Sequence, residues 1–191
     1  MIKIQVILST TRPGRRSEQI GKWVMSELSN NKEVEAELID LKEWNLPFFD
    51  EAKSMMSIKD EEISSDLIRD WGKKIAEADG YIIVTAEYNH GYPAVLKNAL
   101  DHAYYEWHNK PIAFVAYGAT VGGSRAVEQL RQVAIELQMA PISEAIYIPN
   151  IWSKLDKDGN IKEENLRERF ESMVKQLLWW TKALKEAREK S

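Results

Sequence analysis

The 191-residue chain contains no cysteine. That excludes disulfides, thiolate metal ligation and a cysteine nucleophile. Histidine occurs only at His90, His102 and His108, without metal-ligand spacing. Neither sign of charge dominates, since 26 Lys and Arg face 30 Asp and Glu for a net charge of −4. This balance argues against nucleic acid as the main partner, because neutralising phosphates needs clustered cations. No apolar run approaches the ~20 residues of a membrane span. The N-terminus is apolar first and basic afterwards, the reverse of a signal peptide, so a cytoplasmic protein is expected. Repeats and low-complexity tracts are absent. The phosphate-loop pattern G-x-x-x-x-G-K-[ST] and the dinucleotide fingerprint G-x-G-x-x-G are missing too. What is present is a 44% hydrophobic composition with seven Trp and seven Tyr. The length suits a single domain, 1–191, able to bury roughly 70% of its unfolded surface.

Strand and helix patterns alternate along the chain. Ile2–Leu8 is a β-branched run. Helical spacing follows at Ile20, Trp23, Val24 and Leu28. Val34–Leu41 alternates like a strand, and Trp44–Met56 reads as a loop around Pro47. Asp66–Ala78 is a helix, Tyr81–Ala86 a central strand, and Ala94–Ala103 a helix opened by Pro93. Pro111–Tyr117 is a fourth strand and Arg125–Gln138 a helix. A fifth strand covers Ala145–Ile148, starting as early as Pro141. Asp156–Asn160 (DKDGN) is a turn, lacking the full twelve-residue calcium pattern. A long last helix spans about 162–188. Five strands alternating with helices predict a three-layer α/β sandwich, a parallel sheet in the flavodoxin-like order 2-1-3-4-5 with helices on both faces.

In such a sheet ligands bind beyond the carboxyl ends of the strands, between strands 1 and 3 where the order reverses. Three unusual loops fall there. Ser9–Ser17 (STTRPGRRS) brings hydroxyls and three arginines to a helix N-terminus, where free N–H groups and the dipole favour an anion. Guanidinium binds phosphate bidentately, so a phosphate monoester is predicted; the plainer alternative is a solvated turn with Ser17 as N-cap. Glu87–Tyr92 offers the flat faces of Tyr88 and Tyr92 and the polar groups of Glu87, Asn89 and His90, which suits a planar heterocycle. Packing against the next helix is the other reading for the tyrosines, and a surface histidine for His90. Gly118–Ser124 carries Gly118, Gly122 and Gly123, which let backbone approach a ligand or simply turn the chain. Arg125 sits where the dipole does not favour it, so a salt bridge, a ligand contact or plain exposure is open.

Together these loops resemble the NADPH-dependent FMN reductase family of flavodoxin-like proteins, which includes flavin, quinone, azo and chromate reductases. The residues that carry the resemblance are S-T-T-R-P-G-R from Ser9, A-E-Y-N-H-G-Y-P-A-V-L-K-N-A-L-D from Ala86, and G-A-T-V-G-G-S-R-A from Gly118. The match runs from about Ile2 to Ile148. It implies FMN as cofactor, NADPH or NADH as co-substrate, and hydride transfer through the flavin to a small-molecule acceptor such as free flavin, a quinone or an azo compound. It further implies that Thr10, Arg12 and Ser17 bind the FMN phosphate with Arg15 or Arg16 assisting. Ala86, Glu87, Tyr88 and Asn89 line the ring, and Gly118 approaches its pyrimidine end. No side chain need act as an acid or base. Two positions depart from the family: Ser9 stands for its usual Gly and Ala86 for its usual Pro. A non-enzymatic flavin-binding electron carrier or redox-responsive interaction protein is the competing reading. The resemblance also implies a homodimer or homotetramer. Tyr104, Tyr105 and Trp107 are expected at its interface, the other reading being aromatic anchors buried where the connector crosses strand 4, and one of Trp179 and Trp180 is expected exposed or at a contact, because helix neighbours point about 100° apart.

Overall fold

The computed structural model describes residues 1–63, 65–157 and 160–190. Strands β1 (Ile2–Leu8), β2 (Val34–Asp40), β3 (Gly80–Ala86), β4 (Pro111–Tyr117) and β5 (Ala140–Ile148) form one parallel sheet in the order β2-β1-β3-β4-β5. This is the flavodoxin-like order, and it leaves a crevice above β1 and β3. The central strands β3 and β4 are buried along their whole length, as their near-continuous apolar runs require.

Alternation along each strand divides the core. On one face Val6, Leu8, Ile82, Val84 and Val115 pack under α1 (Ser17–Leu28) and α7 (Leu166–Glu189), which present Ile20, Val24, Phe170, Met173 and Leu177. On the other, Ile7, Tyr81, Ile83 and Phe114 pack under α3 (Asp66–Ala76), α4 (Ala94–Asp101) and α5 (Ser124–Glu136). Each such side chain contributes about 1.5–3 kcal/mol of burial.

Three expectations change. The segment Trp44–Met56 is not all loop: α2 (Leu41–Trp44) precedes it, opened by the Asp40 carboxylate accepting from Lys42 N–H at 3.0 Å and closed by left-handed Asn45. The last helix starts at Leu166, not near 162, because Leu155 bridges Ile161 and Asn165 turns left-handed at φ 55°. The expected turn at Asp156–Asn160 is closed by Asp156 N–H on Asn160 O at 3.0 Å, while Asp158 and Gly159 lie outside the described residues. Trp107 is core rather than interface: 1% exposed, it sits edge-on to Tyr81 at 4.9 Å and donates its indole N–H to Leu100 O. Tyr105 beside it is 60% exposed, and both Trp179 and Trp180 stand in solvent.

Candidate functional site

The three loops meet in one cavity of about 760 Å³ at the carboxyl ends of β1, β3 and β4. Arg12, Arg16, Ala86, Glu87, Tyr88, Asn89 and Gly118 line it, so topology brings most of the expected residues to one place.

The first loop splits its residues into two tiers. Thr10 and Ser17 are fully buried, and their hydroxyls bond to each other at 2.7 Å. Thr10 Oγ1 also lies 3.3 Å from the Tyr117 hydroxyl, whose own pKa burial pushes up. Above them Arg12 and Arg16 are exposed on the cavity wall, with the Arg12 guanidinium 5.6 Å from the centre of the Tyr88 ring, a cation–π geometry.

Arg15 takes no part in that wall, contrary to the expectation that it assists a phosphate. It is 5% exposed. Its Nη1 bonds Asp40 at 2.7 Å, its Nη2 bonds Asp40 and Glu18, its Nε bonds Glu18 at 2.9 Å, and Nη1 also reaches Thr10 O. Bonding to Asp40, against the opposing pull of desolvation, raises the guanidinium's pKa. Burial alone would raise the Asp40 carboxyl, but hydrogen bonds from Arg15 and Lys42 N–H outweigh it and hold the group below its ordinary value. Arg15 therefore fastens the loop to the end of β2.

The second loop is a two-residue reversal. Asn89 and His90 both have positive φ, 50° and 70°, and Tyr88 and Gly91 exchange backbone bonds at 2.8 and 3.0 Å. This is the hairpin geometry that Asn tolerates well. Gln129 Nε2 donates to His90 O at 3.0 Å and ties the hairpin to α5. The Glu87 carboxylate is committed elsewhere. It accepts from the Arg125 backbone N–H at 3.2 Å and from Arg125 Nη1 at 2.9 Å, capping α5. That decides Arg125 as a salt-bridge partner and turns the Glu87 carboxylate to α5 while the residue still lines the cavity.

The third loop separates its glycines. Gly122 and Gly123 have φ of 62° and 91°, and a Cβ there would stand 2.9 Å from Ile148 N and 2.8 Å from Ala116 Cβ. The fold itself demands glycine at both. At Gly118 an added Cβ meets nothing closer than 3.4 Å, so packing does not require glycine; its bare backbone forms cavity wall. Among the cavity residues sequence reasoning missed Gly14, Tyr117, Ala119, Ile151 and Trp152. A tyrosine ending a buried strand was a readable signal for Tyr117. Trp152 was not readable, since it reaches the cavity only because Ile151 N–H bonds Gly118 O at 3.3 Å and Asn150 N–H bonds Ala119 O at 2.9 Å.

The donor set fits a flavin mononucleotide. Helix α1 has no side-chain cap, so its first N–H groups and positive dipole end are available to a phosphate. Ser9 Oγ is buried at the end of β1 without a hydrogen-bond partner, the kind of orphan that a ligand oxygen would satisfy. Among the described residues no group of three or more His, Asp or Glu could hold a metal, and no helix is long and apolar enough to cross a membrane.

Residues 2–153 match the family model described as NADPH-dependent FMN reductase. The chain is 40% identical over 150 residues to an NAD(P)H-dependent FMN reductase of Schizosaccharomyces pombe, covering 77% of this chain and 74% of that protein. It is 33% identical over 157 residues to an NAD(P)H-dependent FMN reductase of Saccharomyces cerevisiae, covering 78% and 82%. Its fold is similar to that of FerB, a flavoenzyme NAD(P)H:(acceptor) oxidoreductase of Paracoccus denitrificans. The TM-score is 0.75 at 20% identity, over 96% of this chain and 98% of that one.

Proposed function

The chain belongs to the NADPH-dependent FMN reductase family, and from that premise we propose which of its residues hold the cofactor, what it reduces and how it is assembled. It is an NAD(P)H-dependent FMN oxidoreductase. FMN, when bound, supplies the hydride-accepting and hydride-donating chemistry.

Arg12 and Arg16 hold the phosphate together with the uncapped N-terminus of α1. Thr10 and Ser17 set the loop from beneath and turn their hydroxyls to the phosphate when it is present. Arg15 acts only as the fastener that fixes the loop's height. Tyr88 and Asn89 line the ring, with Ala86 and Glu87 contributing backbone, and Gly118 gives close approach at one end. The observation that carries this reading is the convergence of all three loops and the uncapped helix on one open cavity of about 760 Å³.

Such an open cavity selects acceptors by flatness more than by pattern, so free flavin, quinones and azo compounds are the proposed acceptors. The chain works as one cytoplasmic domain, 1–191, with α7 as covering helix, assembled as a homodimer or homotetramer. Exposed Tyr105, Trp179 and Trp180 support the assembly, which light scattering tests. The purified protein should be yellow and should oxidise NADPH with a benzoquinone present. Protein that takes up no FMN and gains no thermal stability from it would overturn the assignment. FMN uptake with negligible NADPH turnover would favour an electron carrier.

A further inference from the structure

A dinucleotide is too long for the flavin cavity alone, and the structure offers it a second compartment. Arg16 lines two cavities at once: the one above, and a neighbouring groove of about 530 Å³. One wall of that groove is the outer face of α1, where Arg16, Gln19, Lys22, Trp23 and Ser26 recur at helical spacing. The facing wall is the hairpin that bridges Leu155 to Ile161 and carries Lys157. This hairpin continues from α6 (Ile151–Lys154), whose Trp152 lines the flavin cavity. A single strip of chain thus walls both compartments, and Arg16 stands at the junction.

The groove gathers three cations on either side of an aromatic face. Several surface cations elsewhere are matched, Lys74 with Glu37 and Glu77, Lys97 with Asp101, Lys182 with Glu33 and Lys154 with Glu163. Arg16, Lys22 and Lys157 have no carboxylate within ion-pair distance among the described residues. Among the described residues the one carboxylate lining the groove is Asp156, which accepts two hydrogen bonds from the Asn160 side chain and one from its backbone N–H. Between the cations lies a flat half-buried surface, the Trp23 indole, held edge-on against Phe170 at 5.0 Å, flanked by Leu155 and Ile161. Gln19 Oε1 is buried beside it without a hydrogen-bond partner. Cations, an aromatic face and a waiting acceptor are what a phosphorylated purine nucleoside requires: phosphate for the first, the base for the second, an exocyclic amine for the third.

We infer that the α1–hairpin groove binds the adenosine 2′-phosphate half of NADPH, with Lys22 and Lys157 as the residues that select NADPH over NADH. The inference rests on the FMN reading, because it needs the nicotinamide end in the cavity beyond Arg16. Lys22 is exposed, and its side chain makes no ion pair among the described residues.

The test is steady-state kinetics of the FMN-loaded K22E/K157E double variant with both nicotinamides, alongside thermal shifts of the apo and loaded proteins with 2′,5′-ADP. The expected result is a rise of about tenfold or more in KM for NADPH, the worth of one charge-assisted contact. KM for NADH, kcat with NADH and FMN content should be unchanged, and the 2′,5′-ADP shift of the wild type should be lost. An unchanged NADPH KM, or equal rises for both nicotinamides, would overturn the inference. The two readings fail separately. FMN uptake without any 2′,5′-ADP response sinks the groove alone. A 2′,5′-ADP response that K22E/K157E abolishes, in protein that takes up no FMN, sinks the flavin site and leaves a nucleotide groove.

Discussion

The two ends of the sheet use the same residue types to opposite effect. At the amino ends of the strands, polar groups close on one another. The Asp79 carboxylate accepts from Lys3 N–H at 3.0 Å, from Lys185 at 2.8 Å and from Arg188 at 3.4 Å. Lys110, 6% exposed, donates to Ile75 O, Ala76 O and the Tyr81 hydroxyl at 3.0–3.2 Å. At the carboxyl ends the chain instead leaves groups open: an uncapped helix, an orphaned Ser9 hydroxyl, Arg12 and Arg16 in solvent, and five residues of positive φ in three loops. Groups satisfied internally contribute to stability; groups held unsatisfied by a rigid frame are available to a ligand.

Breaking the closed end should cost the most. Trp107→Ala should lower unfolding free energy by about 3–5 kcal/mol in urea titration. If it altered subunit association and left monomer stability intact, Trp107 would belong to an interface after all. Arg15→Ala tests whether a residue of the open end can behave like the closed end. Stability should fall by about 3 kcal/mol, since Asp40 loses its buried partner. FMN affinity of the folded fraction should change little; a large loss of affinity would return Arg15 to the phosphate site.

Arg12→Ala should reverse that pattern, weakening FMN by roughly 1.5–3 kcal/mol in fluorescence titration with the melting temperature of the apo-protein unmoved. Lys110 gives a pH test of the closed end. Burial pushes its pKa down to about 8. The unfolded chain then binds a proton that the folded one releases, so stability should rise with pH above about 8, by roughly 1–2 kcal/mol up to pH 9.5. Lys110→Met should abolish that rise. The smallest effect is expected from Glu87→Gln, which keeps a cap acceptor but loses charge against the partly exposed Arg125. A change under about 1 kcal/mol in stability and no shift in FMN affinity would mark the pair as scaffolding.

Much of this contrast was legible in the chain. Apolar runs and their alternation announced the strands, and the order of strands and helices announced the crevice. The loop motifs announced a phosphate and a flat ring. What was not legible was the assignment within each loop. Arg12, Arg15 and Arg16 read alike in one polar segment, yet only Arg15 lies beside Asp40, 25 residues along the chain. Gly118 and Gly122 read alike, yet only at Gly122 would a Cβ collide with the backbone of Ile148 and Pro149.

Period and composition are local properties of the chain, and they set the elements, their order and the end of the sheet where chemistry belongs. Which charges are spent on the fold and which are left for a ligand followed from packing. It buried Trp107, gave Glu87 to Arg125, and carried Trp152 to the cavity wall and Lys157 to the neighbouring groove. The physical reason is that a partner's identity depends on contacts across dozens of residues, which no local pattern records.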